Sequence, residues 1–121
     1  MAADAVLLLA HGSRNPQWNQ PLENLLDGLV STTGREELRI CFLQFGQPDL
    51  ATTLQVLGEA NAKRIQILPL FFSSGGHVQK DIPAIVAEAQ QKYDLSVEVL
   101  PAVGEMPEFA DMLRQLLQRL A

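Results

Sequence analysis

The sequence alternates short apolar runs with amphipathic stretches, and this alternation is what most restricts the fold. Ala5–Ala10 is apolar throughout, as expected of a strand that is covered on both faces. Further strands are predicted at Leu38–Gln44, Arg64–Phe72 and Leu95–Leu100. Between the strands, apolar residues recur three and four positions apart, which is helical spacing. The resulting order, β-α-β-α-β-α-β-α, predicts an α/β fold with a parallel sheet and helices on both faces.

Prolines give most of the predicted boundaries. Pro21 is expected in the first turn of the first helix, or as a kink in it, and Pro48 opens the second helix. Pro69 is expected to mark the end of the third strand, and Pro83 to lie in the first turn of the third helix. Pro107 opens a last helix. Its apolar stripe is expected to be buried against its own sheet, with a partner chain as the alternative; the stripe consists of Phe109, Leu113, Leu116, Leu117 and Leu120.

The composition predicts one globular domain over residues 1–121. A chain of this length can bury a core of its own, and 47% hydrophobic residues with 19% charged residues exclude a disordered chain. The net charge is −5 and there is no Lys/Arg run, so we expect neither nucleic acid nor an anionic membrane as a partner. No apolar run approaches the roughly 18 residues of a membrane span.

Two further features predict a soluble protein of the cytoplasm. The N-terminal residues include no basic segment of the kind that begins a secretory signal. Cys41 is the only cysteine, which excludes an internal disulfide and a cysteine-cluster metal site. Because Cys41 lies inside a predicted strand, we expect it to be a small buried hydrophobic residue.

The chain's two histidines follow the first and third predicted strands. His11 comes directly after Ala5–Ala10, and His77 comes a few residues after Arg64–Phe72. Ligands of such sheets bind beyond the carboxyl ends of the strands, where the strand order reverses. If these strands are neighbours, both imidazoles face one crevice and could bind a transition metal or accept a proton. The alternative is that each histidine only caps a helix or bonds to a loop carbonyl.

Small and basic residues accompany both histidines. Ser73-Ser74-Gly75-Gly76 precedes a predicted helix, where backbone N–H groups can bind an anion. Arg14 and Lys80 each lie beside one histidine loop, and in an acidic chain they favour an anionic ligand. The alternatives are a flexible loop and solvated surface charges. Trp18 is expected either to pack locally or to line the mouth of a cleft.

Two segments resemble a known family. Leu7–Arg14, with the sequence LLLAHGSR, is similar to the first-strand motif of the small class II chelatases. Leu68–Pro83, with the sequence LPLFFSSGGHVQKDIP, is similar to their second motif, which is longer and more specific. The chain is therefore identified as a member of the CbiX/SirB type of sirohydrochlorin chelatases. These enzymes insert cobalt or ferrous iron into sirohydrochlorin on the routes to cobalamin or sirohaem, and a close relative inserts nickel.

The resemblance implies more than the residue pattern does. It implies a three-layer α/β/α half-unit with four parallel strands in the order 2-1-3-4, and a homodimer whose halves face each other across a cleft. It also implies that His11 and His77 handle the metal, and that Ser73–His77 lies beside the tetrapyrrole. Arg14 and Lys80 are then candidates for binding the substrate's carboxylates. No prosthetic group is implied, because the divalent metal (Co²⁺, Fe²⁺ or Ni²⁺) is itself a substrate.

One position departs from the family pattern. After the second strand many relatives have Phe-Leu-Glu-x-x-x-Pro, whereas this chain has Phe42-Leu43-Gln44 and then Pro48. A glutamine keeps the shape and one oxygen ligand of a glutamate but cannot accept a proton. Gln44 is therefore a candidate metal contact that predicts altered metal preference, slower chelation or another role.

The function expected from the sequence is insertion of a divalent metal into sirohydrochlorin, with the two histidines binding the metal and assisting pyrrole deprotonation. One alternative is a non-catalytic metal- or tetrapyrrole-binding protein of the same fold. A second is a flavodoxin-like module that binds a phosphorylated ligand at Ser73–His77. Nucleotide binding is not favoured, because neither a Walker-type motif nor Gly-x-Gly-x-x-Gly is present after the first strand.

Overall fold

The structure is a computed structural model that describes residues 3–73, 75 and 78–120. Three of the predicted site residues, Ser74, Gly76 and His77, lie outside the described residues. The other site residues, His11, Arg14, Gln44, Ser73, Gly75 and Lys80, lie within them.

Four parallel strands form one sheet in the order β2-β1-β3-β4. The strands are β1 (Ala5–Ala10), β2 (Leu38–Phe42), β3 (Arg64–Pro69) and β4 (Ser96–Val99). In the register, Leu8 of β1 pairs with Ile40 of β2 on one side and with Leu68 of β3 on the other. The predicted fold class and strand order are confirmed, and β1 and β3 are neighbours.

In the described residues, three α-helices connect the strands and a fourth follows β4, together with two short 3₁₀ turns. The helices are α1 (Gln20–Thr33), α2 (Leu50–Glu59), α3 (Val78–Lys92) and α4 (Pro107–Arg119). The 3₁₀ turns span Pro16–Trp18 and Val103–Glu105, where the sequence predicted only loops.

Local polar contacts fix where these elements begin and end. The Asp49 carboxylate accepts a 2.7 Å hydrogen bond from the backbone N–H of Thr52 and so caps α2. Gly34, in the left-handed conformation at φ 71°, ends α1, and Pro21 lies in that helix's first turn as expected. Before β1, the Asp4 carboxylate accepts hydrogen bonds from the N–H groups of residues 63 and 64, which hold the pKa of Asp4 below its usual value.

The core lies between the sheet and the α2–α3 layer. Ala5, Leu7 and Leu9 of β1 face this layer and are fully buried. They share one cluster with side chains of β2, α2, β3 and α3, namely Cys41, Leu50, Leu54, Leu57, Ile65, Ile67, Ile82, Val86 and Ala89. The other residues of β1 are also buried, on the opposite face, where α1 packs near β2. The expected burial of Cys41 is confirmed.

Several predicted boundaries are wrong. The fourth strand spans Ser96–Val99 rather than Leu95–Leu100, and the second ends at Phe42 rather than Gln44. The third ends before Phe72, at Pro69, which confirms the expectation that Pro69 marks its end. Beyond these points the chain turns into loops, although the Leu43 and Leu70 N–H groups still bond to β1-side carbonyls. Pro83 is the sixth residue of α3 and not part of its first turn, because the helix already begins in the polar segment at Val78.

The expected burial of the α4 stripe is also wrong. Phe109 and Ala110 are half-buried, and the Phe109 ring meets Phe72 edge-on at 5.6 Å. From residue 111 to residue 120 every side chain is exposed. The helix is thus held at its first turn and does not lie on its own sheet. This leaves uncovered the apolar side chains Met112, Leu113, Leu116, Leu117 and Leu120.

Gly12 is placed where only glycine fits. Its φ is +89°, which side-chain-bearing residues rarely adopt, and a Cβ there would overlap the carbonyl oxygen of Gln44. Gly28 is the opposite case, since it lies exposed in α1 and a Cβ there would meet nothing within 4 Å. The same substitution should therefore have opposite effects at the two positions.

We predict that Gly12→Ala lowers the free energy of unfolding by about 1–3 kcal/mol, because it adds backbone strain and a clash with the Gln44 loop. The matched control Gly28→Ala should raise it by about 0.5–1 kcal/mol through helix propensity. Urea unfolding of both variants measures the two effects. Equal stabilities for Gly12→Ala and the parent chain would contradict the close approach of residues 12 and 44.

Candidate functional site

The loops at the carboxyl ends of the strands are tied to one another in a row. The N–H of Gln44, after β2, donates to the carbonyl of His11, after β1, at 3.0 Å. The His11 ring contacts the ring of Phe71, after β3, with centroids 4.3 Å apart. The N–H of Gly104, after β4, donates to the Phe71 carbonyl at 2.9 Å. One continuous edge of the sheet therefore carries the loops that follow all four strands, including those with the predicted site residues.

His11 lies at the centre of this edge. It directly follows β1, the strand between β2 and β3, and the residue itself is exposed. One side of its imidazole packs against Phe71, which is itself buried and fixes the ring in place. The His11 backbone carbonyl accepts the Gln44 bond, while the imidazole packs on an aromatic ring. An exposed imidazole that is held on one side can meet a ligand on the other.

The other predicted residues described after β3 and in α3 lie exposed. Ser73 and Gly75 follow the Phe71–Phe72 turn, and Lys80 lies in the first turn of α3. Trp18 is 72% exposed in the first 3₁₀ turn, so it is not a local packing residue.

Arg14 contacts an aromatic ring that sequence reasoning missed. Its guanidinium carbon lies over the Phe45 ring, 4.6 Å from the centroid, which is cation–π geometry. The Asn19 amide joins the same two loops, donating to the carbonyls of Ser13 at 3.3 Å and Phe45 at 3.5 Å. The loop after β1 and the loop after β2 therefore form one structural unit around Arg14.

Gln44 is exposed and lies directly beside the backbone of His11 and Gly12. It is thus close to the histidine loop, as the neighbouring positions of β1 and β2 require. Two residues further along the chain, Gly46 packs closely against Phe42, since a Cβ at Gly46 would lie 2.6 Å from the Phe42 ring. The position of the Gln44 backbone is fixed from both sides.

The loops after β3 and β4 are held together by another close approach. A Cβ on Gly104 would overlap the backbone carbonyl oxygen and Cα of Phe72. Phe72 is 79% exposed and Phe45 is 50% exposed, although both are large and apolar. Sequence reasoning overlooked both. The available signal was an aromatic residue at the end of a predicted strand, next to small and polar residues: Phe45 directly follows Leu38–Gln44, and Phe72 is the last residue of Arg64–Phe72.

The remaining titratable groups add no metal cluster to the described part. Residues 3–73, 75 and 78–120 contain no group of three or more His, Cys, Asp and Glu side chains that could hold a metal ion. Burial raises the pKa of the Cys41 thiol to about 12, so this thiol stays protonated and is a poor ligand near neutral pH. Among the described helices, none combines the length and apolar character needed to cross a membrane.

Known structures share this fold. A CbiX protein of Marinobacter aquaeolei VT8, assigned to cobalamin biosynthesis, superposes with a TM-score of 0.81 at 24% identity, over 94% of this chain and 91% of that one. The sirohydrochlorin chelatase SirB of Bacillus subtilis subspecies spizizenii, solved with cobalt, gives a TM-score of 0.79 at 23% identity. That match covers 99% of this chain and 52% of SirB.

Curated relatives match in sequence. The chloroplastic sirohydrochlorin ferrochelatase of Arabidopsis thaliana is 24% identical over 117 residues, which are 96% of this chain and 52% of the relative. A sirohydrochlorin cobaltochelatase of Saccharolobus islandicus is 33% identical over 81 residues, 67% of this chain and 62% of the relative. The chain spans about half the length of the first of these relatives and about three fifths of the second.

The family model described as CbiX matches residues 5–120, from the first residue of β1 to the end of the described chain. That span includes the whole sheet and all four edge loops. Together with the shared fold, it shows that this chain belongs to the CbiX family.

Proposed function

We propose that this chain inserts Co²⁺ or Fe²⁺, with Ni²⁺ as a further candidate, into sirohydrochlorin in cobalamin or sirohaem biosynthesis. The observation that carries the proposal is His11, exposed at the centre of the carboxyl edge of a CbiX fold and held there by Phe71. Cobalt and iron are the metals after which these relatives are named, and SirB was solved with cobalt. Family membership favours this function over the binding of a phosphorylated ligand. We keep the cytoplasm as the proposed compartment, on the sequence argument alone.

The site residues divide the work by their chemistry. Imidazole nitrogen is a ligand for iron, cobalt and nickel, so His11 and His77 would hold the incoming ion. Arg14 and Lys80 would bind carboxylates at the periphery of the macrocycle, with the N–H groups of Ser73–Gly76. Each divalent ion that enters displaces two pyrrole protons, which a histidine or a substrate carboxylate accepts. The metal is consumed as a substrate, and the proposal includes no prosthetic group.

Gln44 would supply an oxygen near the metal without taking up a proton. Its backbone is fixed beside His11, so its side chain starts from the same edge. Proton acceptance would then fall to the histidines and the substrate. The alternative function, storage or delivery of a metal or tetrapyrrole in the same cleft, requires binding but no turnover.

The first test is anaerobic mixing of sirohydrochlorin with Co²⁺ or Fe²⁺. We expect the absorption spectrum to change faster with the protein than without it, over many turnovers. His11→Ala and His77→Ala should each slow this change by about 10²–10⁴-fold, the usual contribution of a positioned acid–base group. Circular dichroism checks that both variants keep the fold.

A spectral change that stops after one equivalent of protein would favour the binding protein over the chelatase. Parent-like rates in both folded histidine variants would show that the proposed metal site is wrong. Ser31→Ala serves as the control and should not change the rate, because Ser31 lies exposed near the C-terminal end of α1.

Gln44→Glu tests the departure from the family pattern. The change is nearly isosteric and adds one negative charge beside a divalent cation, which should favour metal binding. We expect tighter Co²⁺ binding by calorimetry, together with a faster rate or a changed preference among Co²⁺, Fe²⁺ and Ni²⁺. Gln17→Glu, an exposed glutamine in the first 3₁₀ turn, controls for net charge. Unchanged affinity, rate and preference at position 44 would remove Gln44 from the site.

We also propose that the chain acts as a homodimer, and α4 supports this. Its uncovered stripe is Met112, Leu113, Leu116, Leu117 and Leu120, a contiguous apolar face on an otherwise polar helix. Such faces are usually buried against another element. SirB contains about one further chain length beyond the part that this chain matches. A second copy of this chain would supply an equivalent unit and cover the stripe.

Light scattering should therefore give about twice the chain's 13.3 kDa at micromolar concentration. Leu117→Glu, at a residue 67% exposed, should shift the mass toward that of one chain because it puts a charge in the apolar contact. Val56→Glu makes the same change at a residue 57% exposed on α2 and should leave the mass unchanged. A monomeric parent chain would refute the dimer.

A further inference from the structure

Phe45 adopts a backbone conformation that is unfavourable for its residue type. Its φ is 55°, in the left-handed region that favours glycine and, to a lesser degree, asparagine and aspartate. A bulky residue there costs free energy, and such positions persist only where the surroundings impose them. The Phe45 ring does not offset this cost by burial, because the residue is 50% exposed. Folding alone therefore gives no reason for an aromatic residue at this position.

The surroundings hold Phe45 in this conformation. Its carbonyl accepts a hydrogen bond from the Asn19 amide, and its neighbour Gln44 is bonded to the His11 carbonyl. On its other side, Gly46 fits closely against the Phe42 ring. The Arg14 guanidinium lies over the Phe45 ring at 4.6 Å. The Phe45 ring therefore has a defined position before any ligand binds, in a loop that is hydrogen-bonded to the His11 backbone.

We infer that Phe45 and Arg14 form a binding subsite for a flat macrocycle with peripheral carboxylates. The exposed part of the ring would contact the macrocycle's apolar surface, while Arg14 keeps N–H donors for a carboxylate at the rim. A planar guanidinium on an aromatic ring is well suited to this pair of contacts. The inference deepens the proposed function and rests on it, since it names a contact for the tetrapyrrole and none for the metal.

This chemistry distinguishes a tetrapyrrole from a metal ion and from a small anion. A hydrated metal ion gains nothing from an aromatic ring beside an arginine, and a small anion needs only the arginine. Only a ligand with both an extended apolar face and negative groups uses both side chains. Phe45 should therefore affect affinity for the tetrapyrrole and leave the affinity for Co²⁺ unchanged.

The test uses Phe45→Asn, because asparagine tolerates the left-handed conformation but lacks the ring. Metal-free sirohydrochlorin is titrated into each protein while quenching of the single tryptophan, Trp18, is followed. We expect the Kd to rise roughly three- to tenfold in Phe45→Asn, the range of one aromatic contact. The unfolding temperature should stay equal or increase, since strain is relieved. Arg14→Lys keeps the charge, loses the planar group and should also raise the Kd.

The control is Val56→Asn, which removes an equally exposed apolar side chain on α2 and should leave the Kd unchanged. Calorimetry with Co²⁺ alone should give the same affinity for the parent chain and Phe45→Asn. This combination, an equal or more stable fold with weaker tetrapyrrole binding, is not expected of a residue that only supports the loop.

Four results would overturn the inference. An unchanged Kd in Phe45→Asn, with a parent chain that still chelates, would refute the subsite and leave the proposed function standing. A lower unfolding temperature in Phe45→Asn would show that the ring supports the fold, and a lower mass by light scattering would show that it is a dimer contact. A parent chain that neither binds nor metallates sirohydrochlorin would refute the proposed function and the subsite together.

Discussion

The rest of the structure depends on the double burial of β1. All six residues from Ala5 to Ala10 are at most 9% exposed, with hydrogen-bonded strands on both edges and side chains packed on both faces. A strand in this position has almost no freedom to shift its register, since a slip by one residue would exchange its two buried faces. Its carboxyl end is therefore the best-fixed point of the chain. His11 is the next residue, so its backbone is positioned by this well-fixed strand.

Sequence periodicity was sufficient for the sheet because its signal is large. An unbroken run such as Ala5–Ala10 can hardly be anything but a buried strand next to amphipathic stretches, and the alternation then fixes the class. The ends were harder. Leu43 and Leu70 are as apolar as the strands before them, yet each already belongs to a loop that leaves the sheet. The hydropathy of a residue does not show where the backbone hydrogen bonds between neighbouring strands end.

The errors at α3 and α4 have a different cause. Pro83 lies inside α3 because the helix already begins at Val78, in a polar segment that the sequence predicted to be a loop. An apolar stripe shows that α4 must be covered, but periodicity contains no information on which surface covers it. Phe45 escaped notice for a related reason, since a positive φ at a non-glycine residue leaves no mark in the sequence. His11 and Arg14 were predicted as site residues because polar residues directly after a strand stand out in a sequence, and Gln44 because it departs from the family pattern. An exposed aromatic ring beside them gives no such signal.

Gly104 shows how far from the chemistry a position can be restricted. Gly104 lies in the turn after β4, and its missing side chain lets this turn rest directly on the Phe72 backbone. Phe72 leads into Ser73 and the rest of that loop. Even one methyl group added at residue 104 would overlap the Phe72 backbone and push the loop after β3 away from the turn after β4. Among related chains, residue 104 should therefore vary as little as a residue that binds a ligand. A search for functional residues by conservation alone would wrongly assign this glycine a role in binding or catalysis.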